Sequence, residues 1–139
     1  MLVTIMDADE ILNKFKLQGH KLTKTRKKMV ELFLSNPLPL TATEIKTHMV
    51  KINKTTIYRE LNFLIGKNFI SEIEFGDGKK RYEHNKDHHH HLICTSCRKI
   101  ENVYLKEDLK REEEKMSNNK NFKILYHSLE FFGLCGNCQ

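Results

Sequence analysis

Residues 54–83 read KTTIYRELNFLIGKNFISEIEFGDGKKRYE and contain the clearest structural pattern in the chain. Their first part predicts a helix over Thr55–Ile65 that ends at Gly66, because apolar residues recur at positions i, i+4, i+7 and i+8. These apolar residues are Ile57, Leu61, Leu64 and Ile65. One side of the helix is therefore expected to pack against a core.

The opposite side of this predicted helix is unusual for a solvent-exposed surface. An exposed helix face is commonly rich in lysine and glutamate, whereas this one carries groups that can hydrogen-bond to phosphates and base edges. The residues are Thr55, Tyr58, Arg59 and Asn62. This composition indicates contact with a nucleic acid.

The remainder of the stretch predicts a β-hairpin. Phe69–Phe75 alternates like a strand, residues 76–78 supply a glycine-rich turn, and Lys79–Glu83 returns. Positive charge is concentrated on this hairpin and on the helix before it, at Lys54, Arg59, Lys79, Lys80 and Arg81. That distribution suits binding to the DNA backbone.

Three further helices are predicted before residue 54. They cover residues 7–17, the segment from Thr23 to Ser35, and a segment that starts at Thr41, where Glu44 completes a capping box. Helices followed by a basic hairpin predict a winged helix-turn-helix, whose second helix enters the major groove of DNA. The alternative is a small helical domain with an ordinary hairpin.

The four cysteines form two Cys-x-x-Cys pairs, Cys94 with Cys97 and Cys135 with Cys138. A two-residue spacer lets both sulfurs face one point, which suits a tetrahedral zinc ion with Zn–S bonds of about 2.3 Å. Two pairs complete a structural zinc site. Disulfides and a dithiol redox centre are the alternatives, but one pair suffices for redox chemistry, and no secretion signal indicates an oxidising compartment.

Five of the eight histidines lie within residues 84–91. Alternate side chains of a strand point to opposite faces, so His88 and His90 are expected on one face. The pair His89 and His91 is then expected on the other face. The run can therefore supply two separate nitrogen/oxygen metal sites, which suit Fe(II), Mn(II), Zn or Ni.

Together these patterns predict an α+β protein of two domains. Residues 1–84 are expected to form a winged-helix DNA-binding domain, and residues 85–139 a small α/β metal-binding dimerisation domain with the four-cysteine zinc site. The second domain is predicted to contain strands at residues 92–93 and Ile100–Leu105, a charged helix over about Lys106–Ser117, a turn at residues 118–120 and a long strand over Phe122–Phe132.

Composition and charge agree with a DNA-binding protein that is neither secreted nor membrane-bound. The net charge is +6, and residues 1–87 hold sixteen Lys and Arg against eleven Asp and Glu, whereas residues 88–139 hold eight against seven. The excess charge of the first part suggests a phosphate-bearing partner. No apolar run approaches the roughly 18 residues of a membrane span, and the N-terminal residues lack the basic start of a signal peptide.

Several motifs in one order give the chain a family resemblance. The segments are KLTKTR at 21–26, TTIYREL at 55–61, HHHHLICTSC at 88–97, His127-Ser-Leu and CGNC at 135–138. This series resembles the ferric uptake regulator (Fur) family. The resemblance implies a cytoplasmic homodimer that represses transcription, in which a bound metal closes the DNA-binding lobes onto a double-stranded, palindromic, AT-rich operator.

The resemblance also implies site residues. The structural zinc ligands are Cys94, Cys97, Cys135 and Cys138. The regulatory site at the lobe junction has Glu83, His89, His91 and Glu101. A second site in the dimerisation domain has His88, His90, Asp108 and His127. For DNA binding, Lys21, Tyr58 and Arg59 are the best matches, and Arg26, Lys54, Thr55, Thr56 and Asn62 complete the expected set of DNA-binding residues. Iron is the expected signal; zinc, manganese or peroxide sensing are the alternatives.

The chain departs from the family pattern at three places. Pro39 stands where many members have a histidine ligand, and His90 replaces the aspartate of some relatives. Assigning Glu101 and Asp108 as ligands requires a one-residue gap after Cys97. Without that gap, Asn102 takes the ligand position.

Two other classes of protein combine histidine, glutamate and Cys-x-x-Cys. A zinc hydrolase or deaminase needs an open coordination position and a glutamate base, whereas four thiolates close the coordination sphere. A zinc-stapled interaction module predicts no affinity for DNA. Neither class explains the polar face of Thr55–Asn62, so we expect a regulator and not an enzyme.

Overall fold

The computed structural model describes residues 6–106 and 109–139 and divides the chain into two compact units. The first unit ends at Lys86, and the second is Asp87–Gln139. The predicted domain boundary, after residue 84, lies two residues earlier. Each unit has its own three-stranded sheet.

The first unit is a winged helix-turn-helix. Its elements are α1 (Ala8–Leu17), α2 (Lys24–Ser35), β1 (Leu40–Thr41), α3 (Ala42–His48), α4 (Lys54–Gly66), β2 (Ile70–Glu74) and β3 (Lys80–His84). The sheet has the antiparallel order β1-β3-β2. The four predicted helices and the hairpin are confirmed, whereas β1 was missed because two residues are too few to show a period of two.

Side-chain caps fix where these helices begin. The Thr23 hydroxyl accepts a hydrogen bond from the backbone of Arg26 at 3.1 Å, and Thr41 forms a reciprocal capping box with Glu44. Asn53 caps α4 by accepting from the Thr56 backbone at 2.8 Å. Because each cap satisfies an N–H group that the helix itself leaves unpaired, the helix start is set locally by sequence.

The core of the first unit contains the apolar side of α4. Ile57, Leu61 and Leu64 are at most 1% exposed. They pack with buried residues of the other helices and of the hairpin, among them Ile11, Phe15, Met29, Val30, Phe33, Ile45, Ile70 and Tyr82. Burial of each such side chain stabilises the fold by roughly 1.5–3 kcal/mol. This packing leaves the opposite side of α4 facing outward.

Among its described residues, the second unit forms a sheet and one helix. Its elements are β4 (His90–Cys94), β5 (Ile100–Val103), α5 (Lys110–Lys120) and β6 (Glu130–Gly133). Strand β4 is central and pairs antiparallel with β5 and parallel with β6. The parallel pairing brings the ends of β4 and β6 to the same edge of the sheet.

Helix α5 extends further along the chain than predicted. It begins at Lys110 and runs through the predicted turn at residues 118–120. The turn lies one residue later, at Asn121, which adopts a left-handed conformation with φ 49°. The backbone N–H groups of Asn121 and Phe122 both donate to the Ser117 carbonyl, so these bonds satisfy the helix end.

The predicted long strand Phe122–Phe132 is mostly not a strand in the single chain. Only Glu130–Gly133 pairs with a neighbour in the part of the chain that the structure describes. The register places Glu130 beside His91, and β4 begins at His90. Because β4 begins at His90, the part of the segment before about residue 129 has no residue of β4 to pair with.

Residues 6–106 and 109–139 form the helices α1 to α5. None of them is both long enough and apolar enough to cross a bilayer.

Candidate metal centres and nucleic-acid interface

The four cysteines lie together at the edge of the second sheet where β4 and β6 end. Cys94 is the last residue of β4, and Cys135 follows β6 by two residues. Arg98, with φ 66°, turns the chain after Cys97 so that its N–H donates to the Cys94 carbonyl at 2.9 Å. The sheet register therefore brings together two pairs that are far apart in sequence.

The spacing of the sulfurs fits a tetrahedral metal ion. All four sulfurs lie within 4.8 Å of one another, and Sγ of Cys97 is 3.7 Å from Sγ of Cys135. Bonds of about 2.3 Å to one ion place the sulfurs of a tetrahedron about 3.8 Å apart. A disulfide needs about 2.05 Å, so the four thiols are unbridged. The predicted grouping agrees with a structural zinc site.

Two thiols of this cluster differ in acidity. Hydrogen bonds from the backbone N–H groups of Cys135 and Cys97 lower the pKa of Cys94 to about 6. The Ser96 hydroxyl lowers the pKa of Cys138, but contacts with Cys135 and Cys94 outweigh this effect and raise that pKa to about 11. Cys138 is therefore a neutral thiol in the absence of an ion, and a zinc ion bound by all four sulfurs would displace its proton.

Three histidines form a second group within the second unit. The ring centroids of His88 and His90 are 4.8 Å apart, and those of His88 and His127 are 4.9 Å apart. One nitrogen from each of the three rings lies within 4.8 Å of the others. In the described residues, the buried Nε2 atoms of His90 and His127 have no hydrogen-bond partner. Buried, unpaired imidazole nitrogens are the donors that a divalent ion requires.

The protonation state of His90 suits metal binding. Burial is the main effect that lowers the pKa of His90, followed by the neighbouring rings of His88 and His127. A lowered pKa keeps the imidazole neutral near pH 7, and the neutral ring is the form that binds metal. Asp108, the carboxylate predicted for this site, lies outside the described residues.

Glu113 contacts this group and was not predicted. Its Oε1 lies 2.5 Å from Nδ1 of His127, and both side chains are about three-quarters buried. A carboxylate at Nδ1 accepts the proton of that nitrogen and leaves Nε2 with a free lone pair. Glu113 is the middle of three consecutive glutamates, Glu112 to Glu114, and the sequence does not indicate which of them faces inward.

His89 and His91 lie on the opposite side of the strand from the three-histidine group. Their ring centroids are 4.9 Å apart, and His91 is 4% exposed. Nδ1 of His89 is 3.1 Å from the Asp87 carbonyl oxygen. The alternation expected of the histidine run is therefore present. Glu83, the carboxylate grouped with them from the resemblance, is half-buried on β3 of the first unit.

Glu101 does not join His89 and His91, which corrects the gapped assignment. Directly opposite residues of an antiparallel pair share one face, and the residue opposite His91 is Asn102. Glu101 lies opposite Leu92 on the other face, where its carboxylate is 2.8 Å from Lys99 Nζ. The sheet register therefore supports the ungapped alternative.

Most of the predicted DNA-binding residues are exposed on one side of α4. Tyr58 is 46% exposed. Lys54, Thr55, Arg59 and Asn62 are also exposed, and Thr56 is half-buried. Lys21 is exposed in the loop between α1 and α2. We name the outward residues Lys54, Thr55, Tyr58, Arg59 and Asn62 the α4 face.

Arg26 faces inward, which corrects its assignment as a DNA-binding residue. Its guanidinium donates to both carboxylate oxygens of Glu60, each at 3.0 Å. The two side chains are only 12% and 8% exposed. Glu60 was missed as a functional residue, although it falls among apolar residues on the inner side of α4, where an unpaired carboxylate is costly.

The wing is the hairpin of β2 and β3 with its connecting turn, and one of its basic residues is also internal. Arg81 is 8% exposed, donates to both carboxylate oxygens of Asp77 at 3.1 and 2.8 Å, and lies 5.4 Å from the Phe75 ring centroid. Lys79 and Lys80 remain exposed, although Lys80 pairs with Glu72 at 3.3 Å. Arg81 therefore stiffens the wing, and the two lysines carry its outward charge.

Comparison with known proteins gives one consistent family. The model of the ferric uptake regulator family matches residues 17–132. The ferric uptake regulation protein of Bacillus subtilis (strain 168) is 32% identical over an alignment 141 residues long, which covers 94% of this chain and 93% of that protein. The peroxide-responsive repressor PerR of Staphylococcus aureus (strain USA300) is 26% identical, covering 96% and 92%.

A solved structure has the same fold over nearly the whole length. The ferric uptake regulator Fur of Helicobacter pylori superposes with a TM-score of 0.77 at 27% identity, covering 96% of this chain and 94% of that one. That protein is described as having three functional metal binding sites.

Proposed function

The chain belongs to the ferric uptake regulator family, and from this premise we propose that it is an iron-responsive, non-enzymatic transcription repressor that binds palindromic AT-rich operators as a homodimer. A structural zinc held by the four cysteines and a regulatory divalent ion at histidine ligands complete the proposal.

The α4 face is the observation that carries the DNA-binding part. Burial of the apolar side of α4 turns Tyr58 and Arg59 outward from the second helix of a helix-turn-helix. That helix inserts in the major groove in proteins of this architecture, where an arginine pairs with guanine. Lys21 and the wing lysines Lys79 and Lys80 supply charge for the flanking phosphates.

Exposed apolar residues of the second unit support the homodimer. Phe122, Leu125 and Tyr126 are 67%, 77% and 84% exposed, and they lie in the segment between α5 and β6. Apolar side chains exposed together in this way mark an interaction surface. A second copy of the chain covers this segment in the proposed dimer and gives residues 122–129 a neighbouring backbone.

The regulatory ion is proposed to bind His89 and His91, with Glu83 as a carboxylate ligand on the resemblance alone. Neutral imidazoles with a carboxylate suit Fe(II), Mn(II) or Zn(II). An ion acts as a signal when it binds the DNA-competent form better than the other form. Moving that balance from 1:99 to 99:1 takes roughly 5.5 kcal/mol of differential binding.

The first test is fluorescence anisotropy on an AT-rich palindromic duplex with zinc-loaded protein at fixed salt, because phosphate contacts depend strongly on salt. Mn(II) serves as an air-stable substitute for Fe(II). We expect affinity to rise on addition of the ion. Arg59→Ala should lower affinity by about 1–3 kcal/mol and relax sequence preference, whereas Arg111→Ala on exposed α5 should not.

The same assay separates the family alternatives. Fe(II) under anaerobic conditions, Mn(II) and Zn(II) are compared at matched free concentrations, and hydrogen peroxide is added to the Fe(II) complex. Release of DNA by peroxide with Fe(II) but not with Mn(II) would assign peroxide sensing. Failure to bind DNA with every ion would refute the proposed function.

A further inference from the structure

The guanidinium of Arg26 joins three parts of the first unit. Its Nε and Nη2 donate to the two carboxylate oxygens of Glu60 on α4, each at 3.0 Å. Its Nη1 donates to the backbone carbonyl of Lys21 at 2.7 Å. One side chain of α2 therefore bonds to α4 and to the loop between α1 and α2.

Phe63 fixes the plane of this guanidinium. The Cζ atom of Arg26 lies 3.5 Å from the centroid of the Phe63 ring, a close cation–π contact. A lysine keeps the positive charge but cannot form the paired bonds of a planar fork while stacking on a ring. The arrangement is specific to arginine.

The loop that this contact holds has no regular structure of its own. Residues 18–23 connect α1 to α2, and the Lys21 side chain is exposed. The loop has a second attachment nearby, since the His20 ring meets Phe63 edge-on with centroids 5.0 Å apart. Fixing the backbone of a flexible residue costs conformational entropy, and bonds made before DNA arrives remove that cost from binding.

We propose that the buried Arg26–Glu60 pair is a positioning device that fixes the Lys21 backbone relative to α4, so that Lys21 and the α4 face meet DNA as one preorganised surface. The inference rests on the proposed DNA-binding function. It gives a reason for burying a charged pair beside an apolar core, where a pair of apolar side chains commonly gives equal or greater stability.

A double-mutant cycle on operator affinity tests the coupling. Lys21→Ala is measured in the wild-type chain and in an Arg26→Lys chain, which keeps the charge and loses the fork. We expect Lys21→Ala to weaken binding roughly five- to tenfold in the wild type and to have little further effect in the Arg26→Lys chain. Lys24→Ala, at an exposed residue of α2, is the control and should give additive losses.

Hydrogen exchange of the loop gives a readout that does not depend on DNA. The amides of residues 20–22 should exchange faster in Arg26→Lys while the α4 core amides stay protected. If Arg26→Lys does not fold, Glu60→Gln replaces it in the same cycle, since it frees the guanidinium from its charged anchor.

The outcomes separate the two proposals. A wild-type chain that binds no DNA overturns the proposed function, and unchanged exchange at residues 20–22 overturns the positioning role regardless of DNA. Operator binding with additive losses for Lys21→Ala and Arg26→Lys overturns this inference alone.

Discussion

The two units of this chain have sheets of the same size but stabilise them by different means. In the first unit, helices and hairpin close over a core in which Met29, Ile45 and Leu64 are fully buried. In the second unit, the residues of α5 are exposed or only half-buried, and Phe132 and Leu134 are more than 50% exposed. Hydrophobic burial therefore stabilises the first unit, whereas we expect the second to depend on metal ligation and on the proposed dimer contact.

The difference follows from how much apolar surface each unit can cover by itself. A unit of about 50 residues buries too little surface to offset its conformational entropy, so such units commonly rely on metals or association. Loss of metal should therefore affect only one unit, and loss of a core side chain only the other.

Removal of the zinc should unfold the second unit and leave the first folded. Structural zinc contributes about 10–16 kcal/mol of apparent binding free energy, more than the stability of a small domain. Cys94→Ser, or chelation of the wild-type ion, should abolish dispersed NMR signals of residues after Asp87 and make the chain monomeric. Zinc added back should restore the chelated wild type but not the variant; a folded, dimeric Cys94→Ser chain would contradict the structural role.

Truncation of a core side chain should destabilise the first unit and leave the second unit unchanged. Phe33 is 1% exposed, and Phe33→Ala should cost about 3–5 kcal/mol of the free energy of unfolding of the first unit, measured by urea titration. Zinc content should not change. Phe132→Ala removes the same atoms from a site that is 53% exposed and serves as the control. Equal losses of first-unit stability in both variants would show that the units are not independent.

Glu113 should tune the three-histidine site without being essential to the fold. Glu113→Gln keeps the shape but removes the charge beside Nδ1 of His127, so the affinity for Co(II) or Zn(II) should fall 10- to 100-fold, as is typical for groups that orient a ligand. Titration of zinc-loaded protein with Co(II), followed by absorbance, measures this affinity. Glu112→Gln makes the same change at an exposed neighbour, and matching affinities in both variants would refute the role.

The smallest effect is expected in the wing, where the stability contributed by the Asp77–Arg81 pair should depend on pH over a narrow range. Hydrogen bonds from Arg81 are the main cause that lowers the pKa of Asp77 from 3.8 to about 2. A carboxylate whose pKa is lower in the folded state stabilises the fold above pH 3.8 and loses this contribution as pH falls towards 2.

Asp77→Asn cannot titrate, so it provides the comparison. The stability difference between wild type and Asp77→Asn, followed by first-unit NMR signals during thermal unfolding, should narrow between pH 4 and pH 2. A difference that stays constant across this range would mean that the pair does not stabilise the wing through its charge.

Local patterns predicted the first unit well, because its signals are short-range. Thr23 and Thr41 cap the helices that follow them, and Ile57, Leu61 and Leu64 are buried as their helical spacing predicts. Each of these features depends on residues within two turns of one another, which is the distance over which a sequence period is visible.

Errors arose where a residue's role depends on a distant neighbour. The guanidinium of Arg26 pairs with a carboxylate 34 residues away, whereas its place in the KLTKTR motif suggested DNA. Glu101 and Asn102 are adjacent in sequence but lie on opposite faces of β5, and only the pairing with His91 distinguishes them. A shift of one residue in register exchanges the two faces of a strand.

Residue type and short spacing were sufficient to predict the family, the winged helix-turn-helix, the four-thiol site and the alternation of the histidines. The folded structure was needed to show that Arg26 and Arg81 are internal, that Asn102 and not Glu101 shares a face with His91, and that Glu113 contacts His127. These outcomes depend on sheet register and on helix packing, which bring together residues that no local pattern connects.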